Sequence, residues 1–359
     1  MSPVEHLPRY LLSFFAAVGV SALLTPVMGG LAERFGILDR PRPGRFHRSA
    51  TPYLGGLAVG AGLVTVGAAA TGLSGEVATI LVCGAAMCLL GFVDDWRTVR
   101  PLPKILVEVS AGAALWAVGI RAGLFGVASL DFGLTVLWVL VVVNAVNFGD
   151  NMDGLASGLA ALSALGFFGI AAGEGHFLVA SLAIAVCGAS LGFLGHNFPP
   201  AKIFLGDAGS LLLGFLLAAL ALQLDIATQP GIVRAALPVL VLAVPLFDMA
   251  VVVAVRFLER RPIYLGATDH TSHRLAARGV SPSRVAFTAF AIQAACSGLA
   301  VVLSTSPQQI LVVGVTGFAA AAAAAWGVLV RAGRGAPERQ VAAEVTRLDS
   351  PRALQNAGE

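Results

Sequence analysis

The 359-residue sequence contains few charged residues, only 12% of the total, whereas 57% are hydrophobic. A soluble globular domain carries about 25% charged residues, and the shortage here extends along the whole chain. The composition therefore excludes an ordinary soluble protein and indicates a polytopic membrane protein. Backbone groups find no water partners in lipid, so we expect an all-α protein with spans of about 17–25 residues.

Three other features are absent or weak. The net charge of +3 is too small to indicate a nucleic-acid partner. We find no internal repeat, which argues against a solenoid or a propeller. The sequence has four cysteines, and they lie in apolar segments without metal-site spacing, so we interpret them as apolar core residues. They are Cys83, Cys88, Cys187 and Cys296.

The apolar segments predict about eleven transmembrane helices. An odd number of spans places the two termini on opposite sides of the membrane. Of the 23 Lys and Arg residues, only Arg9, Arg121 and Arg234 fall on the N-terminal side, and the other 20 on the opposite side. Because basic residues favour the cytoplasmic side, we expect the N-terminus outside and the C-terminus in the cytoplasm. The predicted spans are 10–31, 53–73, 77–93, 104–121, 133–148, 154–172, 177–195, 210–226, 234–256, 285–305 and 309–330.

We expect one transmembrane catalytic domain over residues 1–330 and a polar cytoplasmic tail over 331–359. Two glycine pairs have the four-residue spacing that lets helices approach closely, Gly56/Gly60 and Gly188/Gly192. With 42 glycines in the chain, some such pairs arise by chance.

Four polar clusters lie where apolar segments end, and the predicted topology places all of them on the cytoplasmic side. They cover residues 91–95, 144–153, 204–210 and 269–273. A carboxylate at the edge of hydrocarbon costs several kcal/mol unless a cation joins it. The clusters therefore indicate a membrane enzyme that binds a metal ion and a charged substrate.

Asp94 and Asp95 are the strongest pair. Adjacent carboxylates repel each other, and at the C-terminal end of a helix they also oppose the helix dipole. A divalent cation relieves both costs. We therefore favour a functional role over the alternative of a solvated helix terminus.

The second cluster alternates amides and acids. Asn144, Asn147 and Asn151 recur at intervals of three and four, so they share one face of a helix. Amides at this depth can also serve only as hydrogen bonds between helices. Asp150 and Asp153 are typical of a turn that binds oxygen-coordinated Mg²⁺ or substrate hydroxyls.

The third cluster precedes a helix, where exposed N–H groups attract phosphate. Asp207 is either the cap of this helix or a metal ligand. Asn197 and Phe204 lie just upstream, and Phe204 is either a nucleobase platform or an interfacial aromatic. In the fourth cluster, His270 and His273 form either a zinc half-site or a diphosphate site.

Beside a magnesium-type centre, contact with phosphate is the better interpretation of the histidines, and Arg274 and Asp269 flank them. Asp248 follows Pro245 inside a predicted span, where a charged residue is rare and suggests a function.

In order and spacing, these clusters resemble the polyprenyl-phosphate N-acetylhexosamine-1-phosphate transferase family (glycosyltransferase family 4). The similarity covers about residues 25–285. Residues 38–56, which include His47, resemble the family's first inner loop, and residues 91–95 its paired-aspartate motif. Lys104 resembles the lysine that follows, residues 144–158 the Asn- and Asp-rich segment, and Asn197 with residues 206–210 the nucleotide and magnesium segment.

The resemblance implies transfer of a sugar 1-phosphate from a UDP-sugar to undecaprenyl or another polyprenyl phosphate, with release of UMP. It implies Mg²⁺, with Mn²⁺ as the alternative, held by Asp207 and Asp95. The expected catalytic residues are Asp94, Asp95, Asp207 and His273. The expected substrate-binding residues are His47, Lys104, Asn144, Asn147, Asp150, Asp153, Asn197, Phe204, His270 and Arg274.

The sequence also departs from the family pattern. The loop has Thr271 and Ser272 between its two histidines, one histidine fewer than the usual His-x-His-His. The triple-histidine form typical of the peptidoglycan branch is also absent, which favours an N-acetylglucosamine-type donor over a muramoyl-pentapeptide donor. Asn151 follows Asp150 where a glycine is common, and Glu108 stands where a glutamine is common.

We expect a bacterial inner-membrane enzyme with a cytoplasmic active site, and a homodimer stays open. The rival class is a secondary transporter. Transporters place charges near the bilayer midplane between inverted halves, whereas these acids cluster at one face.

Overall fold

The computed structural model describes residues 6–39, 50–71, 75–224, 231–262, 270–276, 278–306, 314 and 317. Side chains are described within these ranges except at 65–71 and 231–234. His47, Asp269, the predicted span 309–330 apart from Gly314 and Gly317, and the predicted tail 331–359 lie outside the described residues.

The described part of the chain is almost entirely helical. Ten of the eleven predicted spans correspond to helices or to a pair of helices. The helices in chain order are α1 Leu7–Phe35, α2 Gly55–Thr71, α3 Gly75–Trp96, α4 Pro101–Ala117, α5 Ala128–Gly149, α6 Leu155–Gly173, α7 Phe177–Asn197, α8 Gly206–Leu222, α9 Gly231–Val241, α10 Ala243–Leu258, α11 Thr271–Ala276 and α12 Pro282–Ser304.

Six of these helices are long and apolar enough to cross a membrane, and α9 with α10 makes a seventh if the bent pair counts as one span. The shorter apolar helices include α8. The protein is therefore an all-helical, multi-pass membrane protein, as the composition indicates. The count of eleven and the orientation of the termini stay predictions.

Helices α6, α7 and α8 form the centre of the bundle, and glycine lets other helices approach them. A Cβ atom at Gly188 or Gly192 of α7 would collide with the backbone carbonyls of Phe14 and Val18 in α1. Only glycine permits this approach, so the four-residue glycine spacing in α7 marks a true helix contact.

The predicted span 234–256 is broken, because α9 and α10 meet at an angle of 85°. Pro245 has no N–H to donate to the carbonyl of Val241 four residues earlier. Gln293 of α12 supplies the missing bond, since its Nε2 donates to the Val241 carbonyl at 2.6 Å. Its Oε1 also accepts the Val244 N–H at 3.2 Å. The side chain of Gln293 thus satisfies the backbone groups that the break exposes.

A short antiparallel pair, β1 Leu38–Asp39 and β2 Thr51–Pro52, follows α1. The chain entering α8 extends this backbone network. Phe204 N–H donates to the Pro52 carbonyl at 2.8 Å, and Gly55 N–H donates to the Phe204 carbonyl at 3.1 Å. The start of α8 is thereby fixed against the start of α2, at the end of the bundle where the polar clusters lie.

Candidate active site

Four helix ends meet at one end of the bundle, which we call the polar end. They are the last turns of α3 and α5 and the first turns of α4 and α8. Together they bring Asp94, Asp95, Lys104, Asn147 and Asp207 into one cluster, although up to 113 positions separate the bonded residues.

Lys104 lies between two carboxylates from different helices. Its Nζ is 2.5 Å from Asp94 Oδ2 and 2.7 Å from Asp207 Oδ2. The three side chains are between 14% and 28% exposed, so they are shielded but reachable. The ammonium group of Lys104 therefore partly neutralises two convergent carboxylates. The point between the two carboxylates is a position that favours a cation.

The remaining oxygens of this pair are also held. Asp94 Oδ1 accepts the Val99 N–H at 2.5 Å, which fixes the turn after α3. Asp207 Oδ1 accepts Asn147 Nδ2 at 3.0 Å, and the same amide group is 2.9 Å from Ser210 Oγ. Asn147 therefore orients Asp207 from α5. Ser210 belongs to the third polar cluster but was assigned no role of its own from the sequence, although it lies three residues after Asp207 on the same helix face.

Asp95 has a different environment from its neighbour. Its Oδ1 accepts the Asp207 N–H at 2.8 Å and its Oδ2 accepts the Ala208 N–H at 3.1 Å. A carboxylate in this position satisfies the free N–H groups at the start of α8 and favours its dipole. Asp95 thus positions the helix that carries Asp207, and metal ligation by Asp95 stays a prediction.

Two glycines make this contact possible. Gly206 has φ of 71°, and a Cβ atom there would strike the Asp95 carboxylate. A Cβ atom at Gly91 would strike the backbone of Asp207. The glycines in the two motifs therefore let the end of α3 touch the start of α8.

Glu108 lies one turn after Lys104 and is only 1% exposed. Its Oε2 accepts Asn144 Nδ2 at 2.7 Å. Asn144 therefore bonds a buried acid of α4 rather than Asp207. The bond between Glu108 and Asn144 joins α4 to α5 about one helical turn further into the bundle than Lys104 and Asn147. The signal for Glu108 in the sequence is its four-residue spacing from Lys104, which places both on one helix face.

Asn197 and Asp153 hold the backbone around the connection between α7 and α8. Asn197 is 2% exposed, its Oδ1 accepts the Gly154 N–H at 3.0 Å, and its Nδ2 donates to the Ile203 carbonyl at 2.9 Å. Asp153 Oδ2 accepts the Ala201 N–H at 2.9 Å. Both side chains are occupied with internal bonds, and their predicted contact with substrate stays a prediction.

The other predicted residues lie around the same end. Asp150 follows the last residue of α5 and is half-buried. The ring of Phe204 is 5.9 Å from that of Tyr53 and also half-buried. His273 and Arg274 belong to α11.

Residues 270–276, which we call the histidine segment, are bonded to α10 and to the turn after α5. His270 Nδ1 lies 2.8 Å from Asp248 Oδ2, and the imidazole ring packs edge-on against Phe148 with centroids 6.1 Å apart. Ser272 Oγ donates to Asn151 Oδ1 at 2.5 Å. The last turn of α5 therefore contacts Asp207 through Asn147 and His270 through Phe148, and the turn that follows α5 contacts Ser272 through Asn151.

Within the described ranges, no group of three or more His, Cys, Asp or Glu side chains has the geometry of a metal site. Mg²⁺ does not need one, because it is commonly bound by one or two carboxylates while water and substrate phosphates fill its other positions. Asp94 and Asp207 converge on one cation position, which Lys104 Nζ occupies. Two convergent carboxylates are compatible with the donor set that Mg²⁺ uses, and metal binding at this position stays a prediction.

A cavity of about 850 Å³ opens at the opposite ends of these helices. Glu76, Arg121, His176 and Gln223 contribute its polar lining, and the rest is mostly apolar. None of the predicted site residues lines this cavity. Size alone does not make it the reaction site, because the convergent charges lie at the polar end.

Fold and site together define a multi-pass helical membrane protein with a carboxylate–lysine cluster where four helix ends meet. A family model described as glycosyl transferase family 4 matches residues 77–225, from α3 to the end of α8. This segment contains Asp94, Lys104, Asn147 and Asp207.

Curated relatives from bacteria are similar over most of the chain. A probable undecaprenyl-phosphate N-acetylglucosaminyl 1-phosphate transferase of Bacillus subtilis is 32% identical, over 77% of this chain and 80% of its own length. Decaprenyl-phosphate N-acetylglucosaminephosphotransferase of Mycobacterium tuberculosis is 31% identical, over 75% and 78%. Phospho-N-acetylmuramoyl-pentapeptide-transferase of Shouchella clausii is 34% identical, over 59% and 73%. The chain belongs to glycosyl transferase family 4, which confirms the family predicted from its motifs.

Proposed function

We propose that this protein transfers N-acetylglucosamine 1-phosphate from a UDP-linked donor to a polyprenyl phosphate. The product is a lipid-linked diphosphate sugar, the starting unit of a cell-envelope polysaccharide, and UMP is released. The observation that carries the proposal is the placement of Lys104 between Asp94 and Asp207 at the polar end. The names of the Bacillus and Mycobacterium relatives support the acceptor and the sugar.

The reaction exchanges one diphosphate linkage for another. A phosphate oxygen of the lipid attacks the sugar-bearing phosphorus of the donor and forms a new P–O bond. The bond from that phosphorus to the bridging oxygen breaks, and UMP leaves with the electron pair. Bond types on both sides match, so we expect the step to be reversible and close to equilibrium.

Asp207 is the proposed principal ligand of Mg²⁺ or Mn²⁺, with Asp94 beside it. The bound ion would neutralise charge on the diphosphate, which is the main requirement of phosphoryl transfer. Asn147 holds the Asp207 carboxylate in place through one oxygen. When substrate occupies the site, Lys104 is positioned to donate to phosphate oxygens. His270, His273 and Arg274 are the proposed diphosphate contacts from the histidine segment.

Asp94 is better suited to positioning than to proton abstraction. The second pKa of a phosphate monoester is near 6, so the acceptor is mostly dianionic at neutral pH and has little proton left to remove. Asp94 also accepts a backbone N–H and the Lys104 ammonium, bonds that fix its orientation. We therefore assign it to holding Lys104 and the cation position.

The basic-residue count supports an inner-membrane location with the polar end in the cytoplasm, where UDP-sugars are made. The same count of basic residues places Arg121, and with it the cavity that Arg121 lines, on the outer side of the membrane. A homodimer is compatible with this arrangement but carries no part of the mechanism.

The direct test is transfer of label from radioactive UDP-N-acetylglucosamine into an organic-extractable lipid by the purified protein. We expect one UMP released per labelled lipid, loss of transfer in EDTA, and recovery with added Mg²⁺. UDP-muramoyl-pentapeptide, the donor that the Shouchella relative suggests, should be used poorly. Full activity after removal of divalent ions, or transfer of the pentapeptide donor alone, would overturn the proposal.

A further inference from the structure

Asp248 is a buried carboxylate that the proposed reaction does not use directly. It lies in α10, six residues after the break from α9, and is only 7% exposed. An acid inside an apolar span is costly unless its oxygens are satisfied. Both oxygens are satisfied here, and every bonded partner belongs to the segment that begins α11.

Three bonds connect Asp248 to that segment. Oδ2 is 2.8 Å from His270 Nδ1, while Oδ1 accepts the Thr271 N–H at 2.8 Å and the Thr271 hydroxyl at 2.6 Å. A single carboxylate thus fixes the imidazole of His270 and the first residue of the short helix that carries His273.

The contact also determines which nitrogen of His270 carries a proton. An ionised carboxylate can only accept hydrogen bonds, so Nδ1 must be the donor in this pair. Nε2 is then the nitrogen available to a ligand. The ring is itself 6% exposed and rests against Phe148, so its orientation is restricted on two sides.

Four side chains lie close to His270 or to the ring on which it packs. Asp248 contacts it directly from α10, and His273 lies 5.9 Å away between ring centroids. The Arg256 guanidinium carbon is 5.7 Å from the centroid of Phe148, on which His270 packs. Asp248 is therefore the acid bonded to a ring that also lies beside His273 and Phe148, with the Arg256 guanidinium close to the same phenyl ring.

We propose that Asp248 is a positioning residue for the transfer reaction: it accepts the Nδ1–H of His270 and so aims Nε2 at the nucleotide diphosphate, where Nε2, once the ring takes up a second proton, donates to a phosphate oxygen. The inference rests on the proposed function for its ligand. The same bonds anchor α11, and the hydroxyl of Ser272 extends the anchor to Asn151 in the turn after α5. Thr271 and Ser272, which interrupt the histidine motif, thereby bond the segment to α10 and to this turn.

A double-mutant cycle tests whether Asp248 acts through His270. Asp248→Asn keeps the size of the side chain but only one acceptor oxygen, so its NH2 group must face either His270 Nδ1 or the Thr271 N–H, and Nδ1 is no longer held as the donor. We expect it to lower kcat/KM for UDP-N-acetylglucosamine about tenfold or more, the range for a lost hydrogen bond to a charged group. In a His270→Gln background the same change should have little further effect, because interacting residues are not additive.

Asp131→Asn is the matched control. Asp131 is a similarly buried aspartate in the first turn of α5, at the end of the bundle opposite the polar end. Its small effect should multiply with that of His270→Gln. Thr271→Val, which removes only the hydroxyl bond to Asp248, should retain most of the activity. Equal losses from Asp248→Asn in both backgrounds would assign Asp248 to the fold alone and overturn the inference.

A readout without activity separates this inference from the proposed function. Nitrogen NMR of histidine-labelled protein, assigned with His270→Gln, should show His270 with Nδ1 protonated in the wild type. The tautomer should change or become mixed in Asp248→Asn. If the wild type transfers no sugar phosphate but shows this pattern, the function fails while the Asp248–His270 pairing stands; an unchanged tautomer in Asp248→Asn contradicts the pairing itself.

Discussion

The two ends of the helical bundle use aspartates in different ways. At the end opposite the polar clusters, Asp131 of α5 accepts the N–H groups of Leu124 and Phe125, only seven and six residues away. At the polar end, Asp207 is bonded to Asn147 and Lys104, 60 and 103 positions away. The first carboxylate secures its own loop, whereas the second is held by two other helices.

This difference indicates where the chemistry lies. A carboxylate that satisfies local backbone groups lowers the cost of its own burial and needs no further explanation. Carboxylates brought together from separate helices repel each other, and the fold must offset that cost with Lys104. An arrangement that costs stability at one end of the bundle is characteristic of a functional site.

The largest effect should come from Asp207. We expect Asp207→Asn to lower kcat by about 10²–10³-fold, because it removes the charge on which the cation position depends. Asp131→Asn should stay close to wild type, since an amide oxygen can still accept the loop N–H groups. Steady-state transfer with both variants checks the contrast, and similar losses in the two would remove the distinction between the ends.

Asp94→Asn should be nearly as damaging, by about 10²-fold. If Asp94 positions Lys104 and the cation, the loss should be the same at pH 7 and pH 9. If Asp94 instead removes a proton from the acceptor, alkaline conditions should restore most of the rate. A pH–rate profile of the variant therefore decides between positioning and base catalysis.

Lys104→Met should affect stability as well as activity. It leaves two neighbouring carboxylates without their cation, at a cost of about 1–3 kcal/mol. Added Mg²⁺ should recover part of the lost thermal stability, because an ion that binds only the folded state stabilises it. Lys202→Met, at an exposed lysine near the same end, is the control and should show neither effect.

Asp95 should give the smallest change. Asp95→Ala removes both acceptors at the start of α8 and should cost about 0.5–2 kcal/mol of folding stability, as other helix caps do. Asp95→Asn keeps one acceptor and should cost less. Titration of Mg²⁺ against activity addresses the predicted ligand role, because loss of a ligand would raise the concentration needed for half-maximal rate.

Sequence reasoning predicted most of the polar end because its residues are unusual in an apolar chain. Asp94, Asn147 and Asp207 were identified from the polar clusters and Lys104 from the family resemblance, and the structure brings them together. Which oxygen bonds which partner was not predictable, since Asp94 and Asp95 are adjacent and identical in type. Only the packing of α4 and α8 against the end of α3 gives Asp94 the lysine and Asp95 the start of α8.

The broken span was less accessible to prediction. Pro238 and Pro245 signal a disturbance of the helix, but hydropathy over 234–256 still predicts one continuous span. The residue that stabilises the break, Gln293, lies 52 positions from its partner Val241, and no local pattern connects them. Asn197 was difficult for another reason. Its motif predicts contact with substrate, but no sequence pattern indicates that its side chain is bonded to the Gly154 and Ile203 backbone and to Ser157.

The most direct test of the central claim is a double-mutant cycle between Asp94 and Asp207. If the two carboxylates act as a unit around one cation position, combining Asp94→Asn with Asp207→Asn should reduce UDP-N-acetylglucosamine transfer hardly more than the worse single change. If the two losses multiply in full, the carboxylates act independently and the account of a convergent site at the polar end is contradicted.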